Sequence, residues 1–145
     1  MTAAHLLVDD HLLLRILLED RPSGWRSDAP VSTTGLWYHR LGRALAGTTV
    51  SAALSRQVGG SDATLGRRVI AAATALPDAI GLVSLRDLAW PMAELVESGL
   101  RLNLLSLEAL AAAEHLGAVI CLAEQDENPP LLAAARERGV PTRLV

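Results

Sequence analysis

Short apolar runs alternate with helix-like segments along the 145-residue chain, and this alternation constrains the fold more than any other feature. The runs with strand character are residues 4–8, 30–33, 80–85, 118–122 and 140–145. Helix-like segments lie between them at about 11–20, 35–46, 63–76, 86–98, 103–116 and 129–138. Strands that alternate with helices favour a parallel sheet with right-handed crossovers. The pattern therefore predicts an α/β fold, a three-layer α/β/α sandwich with a central parallel sheet of four or five strands.

The composition favours one folded domain over residues 1–145. Half of the residues are apolar and 20% are charged, which argues against disorder. The length suits a single hydrophobic core, and no repeat, low-complexity tract or linker divides the chain. The least patterned stretch is residues 48–60.

Charge and cysteine content narrow the partners and the compartment. The net charge of −3 argues against a protein that coats nucleic acid. All thirteen basic residues are arginine, which together with the many Ala and Leu residues is typical of a GC-rich bacterial genome. A single cysteine, Cys121, excludes an internal disulfide and is expected to be a small buried residue. The N-terminus lacks a basic region, and Asp9 and Asp10 interrupt its apolar stretch. No run is long enough to cross a bilayer, so we expect a cytoplasmic protein with no membrane partner.

Three segments carry a family resemblance. Residues 6–14 are an apolar strand that ends at Asp9 and leads into an apolar helix, which resembles the opening of PIN domains. Residues 102–118 resemble the late Ala-rich helix and turn of that family, and residues 131–140 its final helix and strand. The resemblance covers both ends of the chain and the middle only loosely. It implies a PIN-like fold and the activity typical of the family, Mg²⁺- or Mn²⁺-dependent cleavage of RNA, as in toxins of toxin–antitoxin pairs.

The family places carboxylates at four positions, and this sequence retains one of them cleanly. Asp9 matches the strand-end aspartate, which makes it the candidate catalytic residue. The segment 35–46 contains no carboxylate where the family has a glutamate. Ser106 and Ala123 stand at the other two positions. Since a hard cation needs several fixed oxygen ligands, a lone aspartate does not hold Mg²⁺.

A relocated ligand set is the alternative to loss of the site. The carboxylates available for it are Asp9, Asp10, Glu108, Glu124 and Asp126. Simpler structural roles compete with this interpretation. Asp9 is equally suited to cap the following helix, and Ser106 is better explained as a helix cap than as a ligand. The acidic loop 124–128 precedes a helix N-terminus, where negative charge is favourable.

A few basic, aromatic and histidine residues are candidates for RNA contacts. Arg40 and Arg43 lie on one side of the second predicted helix and are candidates for phosphate contacts, although surface arginines often only solvate a protein. Trp37 fits core packing or a dimer contact better than base stacking. The four histidines show no metal-ligand spacing and no partner nucleophile; His39 lies next to the position of the missing glutamate.

The sequence thus supports three hypotheses about function. The first is a PIN-like module with a degenerate metal site that binds RNA or an antitoxin-like protein without catalysis. The second is an Mg²⁺- or Mn²⁺-dependent endoribonuclease that uses Asp9 with relocated acids. The third is a structural homodimer, since domains of this kind commonly pair through apolar helix surfaces.

Overall fold

A computed structural model of the protein describes residues 3–47 and 63–145. The described residues form one five-stranded sheet, and every pair of neighbouring strands in it is parallel. The strands are β1 (Leu6–Val8), β2 (Val31–Thr34), β3 (Ile80–Val83), β4 (Val119–Leu122) and β5 (Thr142–Leu144), in the spatial order β3-β2-β1-β4-β5. The predicted α/β class and central parallel sheet are confirmed.

Helices cover both faces of the sheet. They are α1 (Asp10–Leu17), α2 (Gly35–Ala46), α3 (Ala63–Thr74), α4 (Leu85–Glu97), α5 (Leu104–Leu116) and α6 (Pro129–Glu137), with a short 3₁₀ turn at Glu124–Asp126. The side chains that α1, α2 and α3 bury belong to one hydrophobic cluster, apart from Trp37. Those of α4, α5 and α6 belong to the other. This division produces the three layers of the sandwich.

The two hydrophobic clusters meet at the central strands. Alternate residues of a strand point to opposite faces, so Leu7 and Ile120 join one cluster while Val8 and Cys121 join the other. Both faces of β1 and β4 are buried, which explains their uninterrupted apolar sequences. Residues 106–113 of α5 are all buried, and small alanines predominate there because the helix lies between the sheet, α4 and α6. Cys121 is buried as predicted.

Three local expectations are resolved by the structure. Asn103, and not Ser106, caps α5, because the Asn103 side chain accepts a hydrogen bond from the backbone N–H of Ser106. Pro91 lies inside α4, which continues through it. Trp37 is buried in the core, as expected for a packing role. Asp62 precedes α3 and is a residue type suited to cap a helix, but it lies outside the described residues.

The order of the strands defines a crevice. The chain moves from β1 outward to β2 and β3, then returns to place β4 on the other side of β1. Ligands of open parallel sheets bind at the carboxyl ends of strands flanking such a reversal. Residues 9–11 and 123–126 follow β1 and β4 directly, so they lie at this position. Within the described part of the chain, no helix has the length and apolar character needed to cross a membrane.

Candidate functional site at the carboxyl ends of β1 and β4

Asp9 is locked by two backbone hydrogen bonds. Its Oδ1 accepts from the N–H of Leu12 at 2.9 Å and so caps α1. Its Oδ2 accepts from the N–H of Ala123, just after β4, at 2.9 Å. The carboxylate is fully buried, and this burial raises its pKa although both hydrogen bonds act in the opposite direction. Asp9 therefore joins β1, α1 and the end of β4, and the capping role predicted for it is confirmed.

Arg40 reaches from α2 into the acidic residues of the crevice. Its Nε lies 2.8 Å from Oδ2 of Asp10, and its Nη2 lies 2.6 Å from Oδ1 of the same carboxylate. The Nη2 group also donates to Oδ2 of Asp126 in the 3₁₀ turn after β4. The hydrogen bond with Asp10 is the main reason that the pKa of Arg40 is raised. A planar guanidinium that meets a carboxylate through two parallel bonds makes one of the stronger ion pairs in proteins.

His11 completes the cluster. Its Nε2 lies 3.9 Å from Oδ2 of Asp126, the oxygen that also accepts from Arg40. The ligand atoms of Asp10, His11 and Asp126 lie within 4.8 Å of one another. Among residues 3–47 and 63–145, this is the one group of three or more such side chains close enough together to hold a metal ion. We call Asp10, His11, Asp126 and Arg40 the Arg40 cluster.

The predicted site residues are thus divided among different environments. Asp126 belongs to the Arg40 cluster, whereas Glu124 is exposed in the same turn. Arg40 faces acids of its own chain, while Arg43, one turn further along α2, is exposed. His39 is exposed as well. None of the histidines showed ligand spacing in the sequence, because the partners of His11 come from a distant turn.

Glu108 lies at a different place, beneath the start of α2. It is 0% exposed, and its Oε1 accepts from the N–H of Leu36 at 2.8 Å. This bond satisfies a free N–H in the first turn of α2, where the helix dipole also favours negative charge. Its Oε2 has no hydrogen-bond partner among the described residues, and a Cβ built on Gly35 would lie 3.6 Å from that oxygen. Glu108 therefore connects α5 to α2 as a cap supplied from another layer.

The cap explains which substitutions of Glu108 the fold tolerates. We expect Glu108→Gln to change the free energy of unfolding by less than about 1 kcal/mol, because the amide oxygen can still accept from Leu36. Glu108→Ala removes that acceptor and leaves a cavity, so we expect a loss of about 3 kcal/mol. Urea unfolding of both variants measures the difference. Equal losses in the two variants would show that the negative charge itself, and not the acceptor, is required.

The bonds already made at this site would compete with an Mg²⁺ or Mn²⁺ ion. A hard divalent cation takes oxygen ligands, carboxylates among them, and both oxygens of Asp9 already accept backbone hydrogen bonds. The guanidinium of Arg40 bridges Asp10 and Asp126, two of the three residues in the group that could hold a metal. One positive charge of the protein itself thus lies between the two carboxylates.

A cleft of about 260 Å³ opens beside Arg40. Its apolar lining comes from Trp37, Leu105, Leu122 and Pro129, and its polar lining from Arg40, Asn103, Asp126, Glu127 and Asn128. The two asparagines use their side-chain oxygens to cap α5 and α6. The cleft therefore offers a small surface of mixed character with more acidic than basic groups.

No family model matches the sequence, and no curated protein matches it. The PIN-like resemblance therefore stays a prediction from residues 6–14, 102–118 and 131–140.

Proposed function

We propose that the chain is a PIN-like module that binds RNA or a protein partner and does not catalyse metal-dependent cleavage. The single observation that carries the proposal is the position of Arg40, whose guanidinium is hydrogen-bonded to both Asp10 and Asp126. In an active nuclease of this kind a divalent cation activates water and neutralises the phosphate. In this proposal Arg40 takes the place of such an ion: its guanidinium offsets one of the two carboxylate charges but supplies no coordinated water.

The local structure around Asp9 supports the same conclusion. A ligand to a metal must have an oxygen free to face the ion, whereas the two oxygens of Asp9 face Leu12 and Ala123. Glu108 accepts a hydrogen bond from the N–H of Leu36 and is not part of the group of possible metal ligands formed by Asp10, His11 and Asp126. Four of the five carboxylates that the sequence offers for a relocated site are therefore engaged in capping and ion pairing, and the fifth, Glu124, is exposed.

An RNA cleavage assay tests the proposal. Single-stranded RNA is incubated with Mg²⁺ or Mn²⁺ and either the wild-type protein or Asp126→Asn, a variant that weakens the Arg40 cluster and leaves Asp9 in place. We expect both proteins to show only the background rate, with no effect of EDTA. Cleavage that requires the metal, is inhibited by EDTA and is lost in Asp126→Asn would establish the endoribonuclease instead.

The location and the other partners follow from the same proposal. A binding module of this kind would act in the cytoplasm, where RNA and an antitoxin-like protein are both accessible. Arg43 remains the exposed basic residue of α2 that a phosphate could reach. Homodimer formation is compatible with the binding role and is measured directly by the mass of the protein in solution.

A further inference from the structure

The helix α4 has a second apolar face that the domain does not use. Its buried face consists of Leu88, Met92 and Leu95, which pack into the core. On the solvent side Leu85 is 53% exposed, Trp90 is 74% exposed and Val96 is 52% exposed. A helix on the surface of a domain normally buries one apolar stripe and leaves a polar face outward. The outward face of α4 therefore departs from this pattern.

The exposed apolar residues form a row along the helix. Leu85, Ala89, Ala93 and Val96 follow one another at spacings of four, four and three residues, so they lie on one side of α4, and all four are exposed. The two alanines leave a shallow depression between the larger ends of the row. Rows of this spacing are the ridges and grooves through which one helix packs against another.

Trp90 lies beside this row and is held in place. Its indole Nε1 donates to Oε1 of Glu94 at 2.9 Å, one turn further along the helix. Tryptophan is among the residues that contribute most to binding when it is covered by a partner. An exposed tryptophan that is already fixed by a hydrogen bond loses less conformational freedom on binding. We call the row together with Trp90 the α4 surface.

The charges around the α4 surface select the partner. The exposed charged residues of α4 are Asp87, Glu94 and Glu97, against Arg86 alone, so the helix carries three negative charges and one positive charge, a net −2. Pro91 adds an acceptor, because it has no N–H to donate to the carbonyl of Asp87 one turn before it. Such a surface repels RNA phosphates. In a symmetric dimer the same surface of the two copies would meet, which would place the acidic residues of one copy against those of the other.

We propose that the α4 surface binds an amphipathic helix of another protein, with apolar residues on one face and lysine or arginine beside them. This inference names a partner for the binding module proposed above and therefore rests on that proposed function. The surface is separate from the Arg40 cluster, which involves α1, α2 and the turn after β4. Cleavage of RNA would thus refute the proposed function without affecting this surface, whereas failure of the peptide test below would refute only the surface.

The test uses model peptides of about 18 residues, long enough to be helical when bound. One peptide carries leucines on one helix face and lysines on the other, a second has the same composition in scrambled order, and a third has glutamates in place of lysines. Binding is measured by titration calorimetry, and the contact residues are identified from backbone amide shifts of the isotope-labelled protein. We expect the first peptide to bind with shifts centred on residues 85–97, and the other two to bind at least tenfold more weakly.

Two variants decide whether the α4 surface is responsible. Trp90→Ala should weaken binding of the first peptide by roughly 30-fold, as for a central contact residue. Leu144→Ala is the matched control, because Leu144 is an exposed apolar residue of β5. Circular dichroism verifies that both variants remain folded. The proposal would be overturned if the scrambled peptide bound equally well or if Trp90→Ala had no effect on peptide binding. It would also be overturned if single-stranded RNA shifted residues 85–97, or if the protein formed a dimer that Trp90→Ala dissociates.

Discussion

Replacing Asp9 by alanine should lower the free energy of unfolding by about 3 kcal/mol, although the position resembles a catalytic one. The substitution removes the cap of α1, which is worth about 1 kcal/mol. It also leaves the N–H of Ala123 without its acceptor, and a buried unsatisfied donor costs about 1–3 kcal/mol. Urea unfolding followed by circular dichroism measures the loss.

Asp28→Ala serves as the control for this measurement. Asp28 is an exposed aspartate paired with Arg26, and exposed ion pairs contribute little to stability. We expect EDTA to leave the wild-type stability unchanged, since the bonds of Asp9 are to the protein backbone. A loss below about 1 kcal/mol in Asp9→Ala would contradict the structural role that the hydrogen bonds indicate.

The pH dependence of the same residue provides an internal check. Burial raises the pKa of Asp9 in the folded protein above its ordinary value of 3.8. Between that value and the raised one, the folded state binds more protons than the unfolded state, so the contribution of Asp9 to stability grows as the pH falls. The stability advantage of the wild type over Asp9→Asn, which does not titrate, should therefore be larger near pH 4 than at pH 7. An advantage that shrinks on acidification would mean that the pKa of Asp9 is lowered in the folded state.

Much of the fold was predictable because it depends on local patterns. β1 and β4 are short apolar runs without a polar break, as expected for strands buried on both faces. α6 has Pro129 at its start and Gly139 just past its end, and α2 ends before Gly47. The capping role of Asp9 was likewise available from the sequence, because an aspartate between an apolar strand and an apolar helix is a typical cap. These signals act over a few residues and need no knowledge of the tertiary structure.

The candidate site was predictable only in its location. Asp9 and Asp10 follow the first apolar run and Glu124 follows the fourth, and ligands of parallel sheets bind at the carboxyl ends of strands, but the pairing of acids with a base is a long-range property. Arg40 is 30 residues from Asp10 and 86 residues from Asp126. Because no local pattern joins residues so far apart, Arg40 was interpreted as a phosphate contact. Glu108 capping Leu36 across 72 residues belongs to the same class of interaction.

Removing the guanidinium should expose a divalent-cation site. In Arg40→Gln the carboxylates of Asp10 and Asp126 lose their shared positive charge and remain close to His11. Carboxylates with an imidazole suit a transition metal such as Mn²⁺. If each carboxylate released from the ion pair contributes about 1.4 kcal/mol, we expect Arg40→Gln to bind Mn²⁺ roughly 100-fold more tightly than the wild type.

Two further variants control for unfolding and for position. Arg40→Lys keeps a positive charge in the cluster and should bind Mn²⁺ as weakly as the wild type. Arg40→Gln combined with Asp126→Asn removes the guanidinium and one ligand, and should lose most of the gained affinity. If Arg40→Gln alone gains Mn²⁺ affinity, and circular dichroism shows that all three variants are folded, the gain in affinity is assigned to the Arg40 cluster.

The most direct test of the claim that Arg40 takes the place of a metal ion is a Mn²⁺ titration followed by electron paramagnetic resonance. The free ion has a six-line spectrum that weakens when the ion binds to protein, so the bound fraction is measured directly. We predict that the wild type leaves the spectrum of the free ion unchanged at equimolar Mn²⁺ and that Arg40→Gln removes signal with a stoichiometry near one. Stoichiometric binding by the wild type, lost in Asp126→Asn, would contradict the claim and restore a metal site to this edge of the sheet.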